Sequence, residues 1–379
     1  MKPLRVAVVG AGRLGRIHTR ILSGLEGVAL AGVADTSEAA RQEVAATHQT
    51  TAFADHRALA DKIDAAVVAT PTKNHCQVAR ELLAAGIHVL VEKPLASSAA
   101  QATELVELAR RRGVVLQAGH VERFNPAFTA AQPYLSEPKY IAAVRCGGYS
   151  FRSTDIGAVL DLMIHDIDLI LSLVAAPLRR VDALGIALFS RHEDVVHARL
   201  AFENGCVATL SASRASRSAV RTFDVWSSRG LAAIDLAARS VELVRPSAAL
   251  LRGEIDVERM TPEEQQCLKE SLLDEHLPRH SLPVAAGDPL TGELNDFVNA
   301  IRTGQAPRVP GQAGLNAVAV AERILLQVRM HAWEGSPKGP VGPRIAAAAQ
   351  ALRGPHWHLQ PSEARPQVRR GGPTSRGHE

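Results

Sequence analysis

Residues 4–23 read LRVAVVGAGRLGRIHTRILS, and no other stretch limits the fold so sharply. Leu4 to Val9 is a β-branched run of the kind found in a strand buried on both faces. It leads into glycines at 10, 12 and 15 and then into a helical stretch. In that strand–turn–helix context Gly10 permits a tight turn. Gly12 lets the backbone approach a pyrophosphate, and Gly15 lets helix and strand pack closely. The phosphates then rest on the helix start, beside Arg13 and Leu14, where free N–H groups point outward. The following apolar run, VALAGVAD, ends at Asp35, twenty residues after Gly15. An acid there binds a ribose 2′-hydroxyl and repels a 2′-phosphate, so NAD is expected over NADP.

The alternation continues. AAVVAT (65–70) precedes NHCQVARELLAAG, IHVLVEKP (87–94) precedes SSAAQATELVELARRRG, and VVLQAG (114–119) closes the series. This is the pattern of a doubly wound parallel sheet, whose ligands gather at the carboxyl ends of the strands. Thr70, Pro71, Glu92, Lys93 and His120 fall there, with His75 one turn into the next helix. The expected cofactor set is therefore Gly10, Gly12, Arg13, Leu14, Gly15, Asp35, Thr70, Pro71, His75, Glu92 and Lys93. Lys93 can reach the crevice or be a solvated loop lysine; Pro94 beside it fixes the backbone and can be cis.

From Lys139 the chain reads as strands and turns, with a hairpin signal at Glu203, Asn204 and Gly205. A second, α+β domain with an antiparallel sheet is expected. Residues 288–304 and 314–332 are amphipathic helices, and 247–287 are less regular, a candidate loop near the substrate. The expected division is 1–121, 122–333, and a Pro-, Gly- and Arg-rich tail over 334–379 that is disordered except for a short helix in IAAAAQALRG. The formal net charge is +4, and six arginines against two glutamates in residues 339–379 account for all of it. The folded body then has no electrostatic reason to bind nucleic acid. Aromatics at 4% offer few stacking surfaces. Four scattered cysteines suggest neither a zinc site nor disulfides. No apolar run reaches the roughly 20 residues of a membrane span, and a cytoplasmic protein is expected.

The segment VLDLMIHDIDLILSL (159–173) carries three aspartates and a histidine among apolar residues. At ~100° per residue, Asp161, His165, Asp168 and Ser172 fall in one stripe. Leu160, Ile164, Ile167 and Leu171 form a second stripe that can seal against a core. Asp166 points elsewhere, as a solvated or capping charge. The polar stripe would line a pocket, and His165 can exchange a proton near neutral pH. Other readings stay open: His165 as a satisfied core histidine, Asp161 and His165 as metal ligands without an evident third, and Asp168 as a hydrogen-bond partner only.

The glycine loop, Glu92-Lys93-Pro94 and the Asp161/His165 pair together resemble the Gfo/Idh/MocA family of NAD(P)-dependent sugar oxidoreductases over roughly residues 3–330. The resemblance implies that Lys93 lies beside nicotinamide and substrate, and that Asp161 and His165 bind the sugar, His165 as proton acceptor. It also implies a second domain with an open, mostly antiparallel sheet that packs against a partner subunit in a homo-oligomer. GHVERFNPAF (119–128) and RSTDIGAVLDLMIHDIDL (152–169) resemble the branch of that family that oxidises the 3-hydroxyl of UDP-N-acetylglucosamine, ahead of an aminotransferase in lipid A synthesis. Arg123 and Arg152 would then bind diphosphate or carboxylate, or else be structural ion pairs. Asn125 would read a sugar group. No metal is expected. The rival expectations are a dehydrogenase of inositol or another free sugar, and a non-catalytic dinucleotide-binding regulator, which has no need of Lys93 and His165 together.

Overall fold

The computed structural model describes residues 2–151, 154–189 and 192–331. The expected disordered tail and its short helix lie outside the described residues. Six parallel strands form the first sheet: β1 (Leu4–Val9), β2 (Val28–Ala34), β3 (Ala52–Phe53), β4 (Ala65–Val68), β5 (His88–Glu92) and β6 (Leu116–Gly119). Their order is β3-β2-β1-β4-β5-β6, the doubly wound arrangement the alternation predicts. Val6 to Val8 and Ala65 to Val68 are 0% exposed. Small and β-branched residues fill both faces because helices cover both. These are α1 (Arg13–Ser23), α2 (Glu38–Thr47), α3 (Thr72–Ala84) and α4 (Ala99–Arg112). The strand order reverses between β1 and β4, which opens a crevice at their carboxyl ends.

The second sheet has eight strands: β7 (Tyr140–Cys146), β8 (Leu178–Ile186), β9 (Val195–Phe202), β10 (Val207–Ser213), β11 (Val220–Ser227), β12 (Gly230–Asp235), β13 (Ser240–Val244) and β14 (Arg279–Ser281). Their order is β14-β13-β12-β11-β7-β10-β9-β8. Only β7 and β10 pair in parallel, so the sheet is mostly antiparallel, as expected. Strict alternation of buried and half-buried residues along β10 gives it one core face. The helices α5 (Pro126–Ala131) and α6 (Ile164–Leu173) contribute to that core. The stretch 247–287, read as less regular, holds the short α7 (Ala248–Leu251), α8 (Pro262–Ser271) and β14.

Two helices return from the end of the described chain. In α9 (Pro289–Thr303), Leu294 and Phe297 pack with Val6, Val8 and Leu22 under the first sheet. The first turn of α10 (Gly311–Met330) meets β6, and its later turns place Val318, Ile324 and Val328 in the second core. A Cβ on Gly314 would sit 2.7 Å from the Ala118 Cβ, so glycine is what lets this helix touch both domains.

Candidate active site

Gly10 has φ +107°, and a Cβ there would come within 2.6 Å of the Ala69 carbonyl. A Cβ on Gly12 would meet nothing within 4 Å; that open space lies at the start of α1, where a pyrophosphate would approach. Asp35 sits against the same loop. Its Oδ2 accepts from the Ala11 N–H at 2.6 Å and its Oδ1 from Ser37 N–H at 2.7 Å. A cleft of about 380 Å³ continues from the loop, lined among others by Leu14, Thr70, Pro71, Lys93 and Asp155. These features fit an extended dinucleotide, and the acid at the ribose end fits NAD.

Lys93 stands at the far end of that cleft. Its Nζ donates to the Asp161 carbonyl at 2.6 Å and to Asp161 Oδ1 at 3.1 Å. The pair joins the two domains and is largely shielded, the side chains 15% and 17% exposed. The lysine is thus not a solvated loop residue. The Lys93–Pro94 bond is cis.

Two residues expected to hold cofactor lie in the cleft lining and also support this corner. His75 is buried, with Nδ1 2.8 Å from the Pro94 carbonyl and Nε2 2.8 Å from the Thr70 carbonyl. Both ring nitrogens face the chain's own oxygens, which fixes the ring in the cleft wall. Glu92 Oε1 pairs with His18 Nε2 at 2.7 Å, and its Oε2 accepts from the Lys93 N–H at 3.2 Å. Burial pushes the Glu92 carboxyl up, but the His18 bond and the nearby cations outweigh it and hold it low.

His165 lies four residues after Asp161. Burial first, then the charges of Lys93, Arg145, His120 and Arg221, depress its pKa well below the usual histidine value. The ring is therefore neutral at pH 7 and can accept a proton. Its Nδ1 is enclosed without a protein partner, which also disposes of a core histidine satisfied by its neighbours. Among the described residues no group of three metal-type ligands forms, and Lys93 occupies the Asp161 carboxylate.

The rest of the polar stripe departs from expectation. Asp168 is 1% exposed and clasped by Arg123, Nε to Oδ2 at 2.6 Å and Nη2 to Oδ1 at 2.9 Å. Arg123 thereby forms the structural ion pair that the sequence left open as its alternative. Asp166 is neither solvated nor a cap. It is 2% exposed and bound by Arg145, which also reaches Glu122 at 2.7 Å. Asn125 does not face a sugar: its Nδ2 donates to Glu122 and to the Leu236 carbonyl, and its Oδ1 receives the Ala127 N–H that starts α5. Ser172 bonds the Leu169 carbonyl. Arg152 lies outside the described residues. Asp166, Asp168 and Ser172 depart because of the partners they meet, all three lying on the regular helix α6; the π-helical turn Val159–Met163 changes only the angle between Asp161 and the residues after it.

Several polar residues at this site were missed. Gln117, from β6, and Glu293, from α9, lie 176 residues apart in sequence, and Gln117 Nε2 donates to the Glu293 carbonyl. His120 was placed only at a strand end, and His18 only in a helix. No local pattern marks such long-range meetings.

Residues 4–120 match the model of the oxidoreductase family with an NAD-binding Rossmann fold. Residues 146–233 match the GFO/IDH/MocA C-terminal domain. The chain belongs to the Gfo/Idh/MocA oxidoreductase family. Among its relatives, UDP-N-acetylglucosamine 3-dehydrogenase of Acidithiobacillus ferrooxidans is 33% identical over 86% of this chain and 96% of its own. The NAD-dependent scyllo-inositol 2-dehydrogenase of Bacillus subtilis is 27% identical over 56% of this chain and 68% of its own. A solved structure of the Acidithiobacillus ferrooxidans enzyme superposes with a TM-score of 0.75 at 31% identity, covering 86% of this chain and 98% of that one. Levoglucosan dehydrogenase in complex with NADH shares the fold, with a TM-score of 0.74 at 18% identity over 86% and 97% of the two chains. As a Gfo/Idh/MocA member the chain is an NAD-dependent oxidoreductase, with Lys93 in its cleft bonded to Asp161.

Proposed function

We propose that this chain oxidises the 3-hydroxyl of UDP-N-acetylglucosamine to a ketone. The observation that carries the chemistry is the meeting of Lys93 with Asp161, one helical turn from a neutral imidazole at His165. NAD, when bound, supplies the hydride acceptor. Gly10, Gly12, Gly15, Arg13 and Leu14 would hold its pyrophosphate, Asp35 its ribose, and Thr70 and Pro71 its length along the cleft. His165 takes the hydroxyl proton. The Lys93 ammonium, shielded from water, stabilises the negative charge that grows on oxygen. Asp161 fixes the ammonium in place and orients the sugar.

The nucleotide part of the substrate has its own support. Tyr149, Phe151 and Phe189 cluster edge to face, with ring centroids 5.0 and 4.9 Å apart. Tyr149 and Phe151 belong to the loop whose Thr154 to Ile156 line the cleft. Phe151 is 84% exposed and holds φ +55°, an unusual conformation for a bulky side chain. Exposed ring faces suit a nucleobase, for which stacking contributes about 1–3 kcal/mol; inositol has no use for them. In a cytoplasmic setting the ketone would pass to an aminotransferase, and the 3-amino sugar to lipid A. Tyr140 and Trp226, exposed on the second sheet, suit contact with a second copy in a homo-oligomer.

The test is to incubate the purified protein with NAD and a panel of UDP-sugars and polyols, an amine-trapping partner enzyme present, and follow reduced cofactor by absorbance. Turnover of UDP-N-acetylglucosamine is expected. Turnover of inositol with none of any UDP-sugar would reverse the assignment. His165→Ala and Lys93→Ala should lose turnover and keep NAD binding; wild-type rates in both would end the catalytic roles.

A further inference from the structure

A sugar held at His165 and a nucleobase stacked on Tyr149 and Phe151 would be joined by a diphosphate, and a diphosphate calls for a cation beside it. The neighbouring arginines are already taken. Arg123 holds Asp168, and Arg145 holds Asp166 and Glu122. Arg214 gives Nε to Asp194 Oδ1 at 2.6 Å and Nη1 to the Ile156 carbonyl at 2.9 Å. Arg221 is different. Its side chain is exposed, and among the described residues it has no hydrogen-bond or ion-pair partner.

Strand register fixes where Arg221 stands. It is the second residue of β11 and lies opposite Arg145 of β7, as Phe223 lies opposite Ala143 and Val225 opposite Ile141. Phe223 and Val225 are buried in the second core. Side chains two apart on a strand share a face, so Arg221 is on the face that α6 covers. Directly opposed Cβ atoms lie about 5 Å apart. Arg145 reaches α6 from there, Nη2 to Asp166 Oδ1 at 2.7 Å, and His165 is the residue before Asp166. The Arg221 charge is accordingly felt at both Asp166 and His165. Like charges directly opposite repel, and the two carboxylates at hand contact Arg145 instead. An anion from outside would meet Arg221 without competition.

In the other direction the same strand ends lead to the rings. Val220 pairs with Cys146, and the Ser216 N–H donates to the Gly147 carbonyl at 3.0 Å. Tyr149 follows two residues later, its ring centre 5.2 Å from the Arg214 guanidinium. Arg221 thus stands between the helix that carries His165 and the loop that carries Tyr149 and Phe151.

We infer that Arg221 binds the diphosphate of a nucleoside diphosphate sugar and selects such substrates over free polyols. This rests on the nucleotide-sugar reading above. The guanidinium fork presents parallel N–H donors to two phosphate oxygens. Inositol offers no anion, so Arg221 adds nothing to its binding. Arg221 touches no reacting atom, and its loss falls on substrate capture rather than on the chemical step.

The test uses Arg221→Gln in the full-length protein with NAD present. Arg229, exposed in the turn beyond the other end of β11, supplies the control Arg229→Gln. UDP titrated by calorimetry into the NAD-loaded protein should bind Arg221→Gln about ten- to a hundred-fold more weakly than wild type. KM for UDP-N-acetylglucosamine should rise by a similar factor with kcat unchanged, and the unfolding midpoint should stay in place. Uridine, which keeps the base and lacks both phosphates, should inhibit the two proteins equally. Arg221→Lys keeps the charge without the fork and should fall between them. Wild-type UDP affinity and KM in Arg221→Gln would overturn the assignment, as would an equal loss in Arg229→Gln or an equal loss toward uridine. A wild type that binds no UDP and oxidises only polyols would instead sink the nucleotide-sugar reading, and the subsite with it.

Discussion

Gly10 and Gly12 are two residues apart and should fail differently when given a side chain. At Gly10 a methyl would strike the Ala69 backbone, in a conformation L-residues avoid. Gly10→Ala should therefore lower stability by about 1–3 kcal/mol, read by urea unfolding. At Gly12 a methyl meets no protein atom, and φ is −71°. Gly12→Ala should keep the wild-type Tm and yet weaken NAD binding at least about tenfold by calorimetry, because the methyl fills the space the pyrophosphate needs. Equal NAD affinity in that variant would remove the loop from the site. Phe151 is a third residue whose task is separable from the fold. With its ring in solvent, Phe151→Ala should leave unfolding unchanged while raising KM for a UDP-sugar and not for inositol.

At the scale of the element, α6 explains why an apolar segment tolerates three aspartates. Each answers a different cation: Lys93 for Asp161, Arg145 for Asp166, Arg123 for Asp168. The latter two pairs are buried and fix the helix against β7 and the turn after β6. Arg123→Met should strand the Asp168 carboxylate and cost about 3–5 kcal/mol. Adding Asp168→Asn should restore part of that in a double-mutant cycle. A fully additive cycle would show that the pair contributes nothing beyond its parts. The 3.6-residue period made two stripes legible in the sequence and correctly placed Ile164 and Ile167 in the core. It could not show the π-helical turn, because no residue in VLDLM marks one. Nor could it assign partners to the aspartates, since Arg145 and Arg123 come from other elements.

Across the whole molecule, pH acts on two kinds of buried group with opposite sign. His75, His120 and His165 have folded pKa values pushed below 6.5, chiefly by burial. Below that pH the unfolded chain binds more protons, so stability should fall as pH drops through about 6.5. Glu293 is raised; above about 4.5 the unfolded chain loses a proton that the folded protein keeps, so this group opposes folding increasingly as pH rises. Glu293→Gln should therefore be at least as stable as wild type at pH 7, by a margin larger than at pH 4.5. A pH-independent difference would place the Glu293 proton elsewhere. The sequence by itself determined the parallel sheet, the glycine loop with Asp35 and the antiparallel second sheet, whereas Lys93, Asp161 and His165 as a reacting set is what the family resemblance of their motifs implies. Those readings rest on periodicity, glycine sterics and motif spacing, which are properties of neighbouring residues. The tertiary structure alone decided that Arg123 meets Asp168, that Asn125 meets Glu122, that His75 and Glu92 bond the chain itself from the cleft wall, and that Gln117 meets the Glu293 carbonyl. Those roles depend on which distant group meets each buried polar atom, and a buried polar atom takes its partner from the packing.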